Sequence, residues 1–205
     1  MSQETLQLIA ELERDNAALR SEVAQLRNFR TLALRDELTG LANRRSLYKR
    51  LSQEISLAAR HPERHFSVAV IDVNHFKEIN DTYGHAAGDE TLRWLGGFLE
   101  RTFRHHDVVF RLGGDEFAVI LPETMHAERL KPVARLRASL DRENARRILP
   151  VHISIGVASW PKDARTPSGI LEAADLAMYR DKAQQKPRSA PVDSSDRISA
   201  NAISM

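Results

Sequence analysis

Two stretches of the sequence bring acidic side chains to the end of an apolar run. Phe66–Val73 (FSVAVIDV) is β-branched and almost wholly apolar, yet it carries Asp72 beside its last residue. A carboxylate on a buried strand is costly unless something compensates it, and a hard cation is a good compensator. Further along stands Gly113-Gly114-Asp115-Glu116, where two glycines permit positive φ and two adjacent carboxylates sit at the tip of a turn. If the strand ending at Asp72 lies beside this turn, Asp72 and Asp115 converge. Two or three carboxylate or carbonyl oxygens, together with substrate phosphates, make a typical Mg²⁺ site. Such a site activates a hydroxyl and stabilises in-line displacement at phosphorus. Alone, a strand-end Asp is more often a cap, and a Gly-Gly-Asp-Glu turn is more often only a turn. Asn80, Asp81, Gly84, His85 and Asp89 lie between the two and strengthen the joint reading.

Other chemistries find no support. The glycines match neither GxGxxG nor GxxxxGK[ST], so dinucleotide and P-loop phosphate cradles are absent from the pattern. His61 and His65 are four apart but lack the Glu of HExxH and a third ligand, and read as surface loop. With no cysteine, disulfide frameworks, zinc ribbons and thiol nucleophiles are excluded.

The elements that must hold these carboxylates follow from periodicity. Phe66–Val73 suits a strand buried on both faces. Asp89–Phe103 has helical spacing, with Leu92, Leu95, Gly96 and Leu99 on one face. Val108–Leu112 and Phe117–Leu121 read as strands of a hairpin with a four-residue, glycine-containing connection. Residues 126–147 read as helix, Val151–Ala158 as strand and Ile170–Lys182 as helix, whereas 187–205 lacks periodicity and reads as a disordered tail. Strands alternating with helices, plus one hairpin, imply an α/β layer sandwich.

Residues 1–33 contain neither Gly nor Pro and repeat every seven residues. With Ile9, Asn16 and Val23 at a, Thr5, Leu12, Leu19 and Leu26 fall at d, a choice that favours two parallel strands, with Asn16 fixing register. Attractive flanking pairs, Asp15 with Arg20 and Glu22 with Arg27, agree. The alternative is an amphipathic helix packed on its own domain. Apolar residues make up 42% of the 205, which is enough for a core. The net charge of +2 forms no concentrated basic face, so no nucleic-acid partner is expected. No apolar run reaches a membrane span and the first residues are polar and acidic, so a cytoplasmic protein without membrane insertion is expected.

Taken in order, these stretches resemble the GGDEF family of bacterial diguanylate cyclases. Asp36–Arg45 (DELTGLANRR) looks like its opening motif, and Ile71–Asp89 (IDVNHFKEINDTYGHAAGD) like its metal and guanine segment. Arg111–Leu121 (RLGGDEFAVIL) carries its signature, and Val151–Ala158 with Ala174–Lys182 resemble its last strand and helix. The resemblance implies a central, mainly antiparallel sheet flanked by helices, akin to a polymerase palm or nucleotide cyclase, at 34–186 and preceded by the parallel coiled coil. It implies that two GTP are joined into cyclic di-GMP with release of two pyrophosphates. Asp72, the Val73 carbonyl and Asp115 would hold Mg²⁺ or Mn²⁺, and Asp115 or Glu116 would help take the 3′-hydroxyl proton. Asn80 and Asp89 would read guanine with His85 nearby, while the amides of His75, Phe76 and Lys77 and the side chains of Lys77, Lys182 and Lys186 would meet the triphosphate. Arg104 and Asp107 stand where the family's Arg-x-x-Asp product-inhibition motif lies, with Arg135 or Arg137 completing that site. One GTP per domain implies a homodimer, and control is expected to act on the helix pair itself, through a regulatory protein that binds the stalk, or by product alone.

Two departures stand out. Asn74 replaces a commonly found second Asp, and Gln185-Lys186-Pro187 replaces Gly-Arg-Asn, which costs the bidentate fork of arginine. These favour a rival reading, a domain that senses GTP or cyclic di-GMP without making it. Intact Asp72, Asp115 and Glu116 favour the enzyme. A third reading, a cyclase making cyclic GMP-AMP, conflicts with Asp89, whose acceptors suit guanine.

Overall fold

The eight residues of Phe66–Val73 are all buried, and the rest of the domain is layered around them. The computed structural model describes residues 2–185, so Lys186 and the expected tail lie outside the described residues. In chain order the elements are α1 (Gln3–Leu34), β1 (Ala42–Asn43), α2 (Arg44–Arg60), β2 (Phe66–Val73), α3 (Phe76–Tyr83) and α4 (His85–Thr102). There follow β3 (Val108–Gly113), β4 (Glu116–Pro122), a short 3₁₀ turn (His126–Glu128), α5 (Leu130–Asn144), β5 (Ile153–Trp160) and α6 (Pro167–Gln185). The sheet order is β1-β3-β4-β2-β5, with β1 parallel to β3 and the other neighbours antiparallel.

Alternation along the strands builds two cores. Ala69, Ile71 and Val73 share one face with Phe117 and Val119, covered by Leu92, Leu95 and Leu99 of α4 and Leu136 and Leu140 of α5. Phe66, Val68 and Val70 share the other with Ala118 and Ile120, covered by Leu47 and Leu51 of α2 and Ile170, Ala174 and Met178 of α6. Covering on both faces is what a nearly continuous apolar strand requires.

The stalk helix does not fold back. Residues 2–26 are exposed throughout, and Ile9, Leu12, Leu19, Val23 and Leu26 are 39–61% exposed. The alternative of an amphipathic helix packed on its own domain is therefore overturned.

Several boundaries differ from the sequence reading, each for a local reason. The hairpin connection is two residues, not four, because Gly113 pairs with Glu116 across an irregularity that follows Arg111. The stretch 126–147 divides into the 3₁₀ turn and α5, with Pro132 in the first turn of α5, where a missing N–H costs nothing. β5 starts at Ile153 because the Val151 N–H and C=O are both taken by the side-chain amide of Asn144. α6 starts at Pro167, where the Thr166 hydroxyl accepts from the Gly169 N–H, a cap followed by proline that marks a helix start. The sequence reading missed α2, whose signal is Asn43: its Oδ1 accepts from the Ser46 N–H at 3.1 Å.

α6 lies against β5 so closely that a Cβ on Gly156 would stand 2.0 Å from the Ala174 carbonyl oxygen and from the Met178 nitrogen. Both obstacles are backbone, so they move only if the helix moves. Gly156→Ala should cost about 1–3 kcal/mol, as overpacking does. Thermal unfolding measures this, and an unchanged Tm would show that α6 is not held at this distance.

Candidate functional site

Register brings the two acidic stretches together. Asp72 on β2 is the antiparallel partner of Glu116 on β4, and the Val73 N–H donates to the Asp115 carbonyl at 3.2 Å. Directly opposed residues of an antiparallel pair project to the same side. Asp72 and Glu116 thus face α2 and α6, with Asp115 at the rim between β3 and β4. The turn needs its glycines: Gly113 has φ +138° and Gly114 +52°.

The electrostatics of this strand end call for a cation. The Asp72 side chain is only 12% exposed, and Lys182 of α6 places its Nζ 2.5 Å from Asp72 Oδ1. Burial pushes the Asp115 carboxyl above its ordinary range, and the charge of Asp72 adds to that shift. Burial raises Glu116 as well, against the pull of Arg44, whose guanidinium is 3.8 Å away. Among the described residues no cluster of three or more His, Asp or Glu side chains forms a metal cage. Two hard carboxylates with a neighbouring backbone carbonyl nonetheless suit a hard divalent ion completed by substrate oxygens. Lys182, expected at the triphosphate, rests on Asp72; its side chain is 37% exposed and lines a cavity of about 400 Å³ together with Asn74, His75, His152 and Gln185.

The loop after β2 places the remaining residues. His75 adopts a left-handed conformation (φ +58°) and its ring bonds Glu78 at 2.7 Å, which starts α3 at Phe76. The first-turn N–H groups of a helix have no intrahelical partners, so those of α3 are available to an anion. Lys77 is exposed beside them, whereas the Phe76 ring is half-buried against the core. α4 follows after Gly84 (φ +82°), with His85 exposed at its first position. The close approach of α3 to α4 occurs at Gly88, where a Cβ would fall 2.0 Å from Asn80 Oδ1. Gly88 thus seats Asn80 against α4 one residue before Asp89, whose carboxylate lies 4.0 Å from Arg93, and the sequence reading did not anticipate the part of Gly88.

Arg104 and Asp107 lie elsewhere. They precede β3, so its six residues, about 20 Å at 3.3 Å each, separate them from the signature turn. Asp107 is nearly buried and one of its oxygens accepts from the Arg104 N–H at 2.8 Å. Arg135 is exposed on α5, while Arg137 is engaged with Asp181 at 2.6 Å.

A further tie joins the stalk to the signature turn. The carbonyls of Ala33 and Leu34, at the end of α1, accept from Asn43 Nδ2 (3.0 Å) and Ser46 Oγ (2.6 Å). Asp36 accepts from Thr39 and from Arg111 Nη1 (2.8 Å), while Arg111 Nε and Nη2 both donate to the Gly114 carbonyl. Burial opposes the charge of Asp36, but the bonds from Thr39 and Arg111 outweigh it and hold the carboxyl below its usual range.

Comparison with known proteins agrees with this geometry. The diguanylate cyclase GGDEF domain family model matches residues 33–188. The diguanylate cyclase TpbB of Pseudomonas aeruginosa is 39% identical over 183 residues, 87% of this chain and 41% of that protein. The chain thus spans less than half the length of that curated relative. Among solved structures, the diguanylate cyclase SiaD of Pseudomonas aeruginosa in complex with its activator SiaC matches with TM-score 0.70 and 32% identity, covering 89% of this chain and 71% of that one. The coiled coil and GGDEF domain of DgcB from Caulobacter crescentus in complex with c-di-GMP matches with TM-score 0.77 and 27% identity, covering 87% and 95%. A signature turn facing Asp72 across β2 and β4, inside a match that spans most of the sequence, makes this chain a member of the GGDEF diguanylate cyclase family.

Proposed function

We propose that the chain condenses two GTP into cyclic di-GMP and two pyrophosphates, with 34–186 as the catalytic domain and 1–33 as a dimerising stalk. The convergence of Asp72 and Asp115 at the β2/β4 strand end carries this reading. Asp72, the Val73 carbonyl and Asp115 are the residues to hold Mg²⁺ or Mn²⁺, which supplies charge neutralisation at the phosphoryl oxygens and acidifies the attacking hydroxyl. Asn80 and Asp89 accept from and donate to the guanine edge, with His85 beside them. A site of paired hydrogen bonds rejects the wrong base because its own polar groups would be left unpaired. The first amides of α3, Lys77 and Lys182 take the triphosphate, and Lys186 continues that basic run in the sequence. Asp115 or Glu116, both raised by burial, receives the 3′-hydroxyl proton.

The 3′-hydroxyl of one GTP must meet the phosphorus held by another subunit, so we read the exposed heptad of α1 as a parallel two-stranded coiled coil. The coiled coil that precedes the GGDEF domain of DgcB and the activator SiaC bound to SiaD support, respectively, such a stalk and control by a regulatory protein. Product feedback is assigned to Arg104 with Arg135, since Arg137 is engaged by Asp181; Asp107 holds the Arg104 loop in shape. No described helix is long and apolar enough to cross a membrane. Reaction at a GTP pool places the domain in the cytoplasm. Incubation with labelled GTP, ATP and Mg²⁺ should yield cyclic di-GMP alone; binding without product would favour the sensor reading, and a mixed product the cyclic GMP-AMP reading.

Three outcomes are expected. Asp72→Ala and Asp115→Ala should each reduce product formation below about a few per cent while the fold survives, since either change relieves carboxylate repulsion and the Lys182 that loses its partner at Asp72 is 37% exposed and reaches water. Substantial residual turnover would overturn the metal assignment. Gly88→Ala should displace Asn80 and raise the KM for GTP at least about tenfold, as loss of a base-reading hydrogen bond does, while shifting Tm by only a few degrees. An unchanged KM would remove Asn80 from the guanine site. Deleting residues 1–30 should give a protein that binds GTP but whose activity rises more than linearly with its concentration. The stalk otherwise supplies an effective concentration on the order of millimolar. Full specific activity of the truncated protein at nanomolar concentration would show that the stalk does not activate.

A further inference from the structure

The two departures from the family pattern meet each other in space. Asn74, one residue past β2, and Gln185, the last residue of α6, are 111 positions apart, yet Asn74 Nδ2 donates to Gln185 Oε1 at 2.8 Å. Neither amide is free to turn round. Gln185 Nε2 donates to Asp181 Oδ2 at 2.7 Å and approaches the Ile153 carbonyl at 3.4 Å. Both are acceptors only, so a reversed amide would set its oxygen against a carboxylate and a carbonyl. Asn74 Oδ1 in turn accepts from Ser154 Oγ at 2.7 Å.

Asp181 fixes the polarity of this chain of bonds. Its Oδ2 also accepts from Arg137 of α5 at 2.6 Å and from the Ile155 N–H of β5 at 2.8 Å. A carboxylate gripped from a helix, a strand and its own helix cannot swing, so the donor of Gln185 has to point at it and the acceptor of Gln185 has to point at position 74. Only a residue that donates can complete the pair. Asparagine does; an aspartate would put its oxygen against Gln185 Oε1, and acceptor against acceptor leaves both unpaired.

We propose that Asn74 and Gln185 are a matched amide pair that locks the end of α6 onto the metal-site strand and so positions Lys182. Lys182 lies between Asp181 and Gln185 on the same helical turn and reaches Asp72, two residues before Asn74. The departure at 74 and the departure at 185 are then one change, each residue requiring the other. Gln185 and Asn74 are positioning residues; their effect on GTP is exerted through Lys182 and rests on the reading of Lys182 as a triphosphate ligand.

A double-mutant cycle on the full chain tests the pair, read by steady-state kinetics with GTP and Mg²⁺ and by thermal unfolding without nucleotide. Asn74→Asp should raise KM about fivefold, the net worth of one hydrogen bond, with kcat within about twofold, and lower Tm by about 2–4 °C. Once Gln185→Met has removed the opposing oxygen, Asn74→Asp should have less than about half of either effect. Gln185→Lys, which supplies donors to Asp181 and to Asp at 74, should restore the Asn74→Asp protein towards the parent in both readouts. Gln185 is exposed at a helix end, so its variants fold. Additive effects, or an Asn74→Asp protein equal to the parent, would overturn the proposal while leaving the cyclase reading intact. If no variant and no parent makes product, the cyclase reading fails, and non-additive Tm values alone still decide the pair.

Discussion

Antiparallel register sets Asp72 opposite Glu116 and ties Val73 to Asp115, so three carboxylates crowd the end of one interior strand pair. Burial makes each charge expensive there, and mutual repulsion adds to the cost. The positive groups that the sequence supplies come from the helix layer covering that same face of the sheet: Lys182 from α6 meets Asp72, and Arg44 from α2 meets Glu116. Neither is a full answer. Asp115 stays raised above its ordinary range, chiefly by burial and further by the charge of Asp72, with Lys182 and Arg111 offsetting only part of the shift.

Because one of those cations rides on α6, the placement of that helix governs the site. Two features fix it. Gly156 removes the side chain that would hold the helix off β5, and Asp181 takes three donors from α5, β5 and α6 itself. The first sets how near the helix lies, and the second sets its rotation and its position along its axis. Nonpolar packing alone, through Ile170, Ala174 and Met178, would tolerate a small slide along the strand, since cores accept rearrangement of similar volumes more readily than buried polar networks accept a lost partner.

What could be read from the sequence was local in origin. The apolar octet of β2, the glycine turn and the helical spacing of α4 each announce themselves within a few residues, and the signature made their juxtaposition legible through family resemblance. The seven-residue repeat of α1 was equally visible, and its apolar positions stand exposed in the structure. What escaped depends on distant pairs. Gly88 looks like any glycine inside a helix until Asn80 is found above it, and Gly156 interrupts an otherwise good strand for a reason that lies in α6. Arg111 sits inside the signature stretch, yet its bond to Asp36 crosses 75 positions. The missed helix α2 is a different case: Asn43 as a cap was legible, but the mixed charge of Arg44–Arg60 hides its apolar stripe of Leu47, Leu51 and Ala58.

The joint between stalk and sheet bears on how any signal reaches the site. The last carbonyls of α1 are capped by Asn43 and Ser46, and Asp36 is clamped through Arg111 to the Gly114 carbonyl, one residue before Asp115. Rotating the stalk against the sheet would break several of these bonds at once, including a charge-assisted bond whose Arg111 partner is only 10% exposed. Charge-assisted bonds of this kind are roughly twice as strong as neutral ones, so the joint resists bending. A stiff joint passes motion on rather than absorbing it. On the proposed dimeric reading, a partner that twists or spreads the two stalks therefore changes how one catalytic face meets the other, while Asp72, Asp115 and Lys182 keep their geometry within each domain. On that same proposed reading, control falls on the encounter of two GTP molecules, one held by each domain.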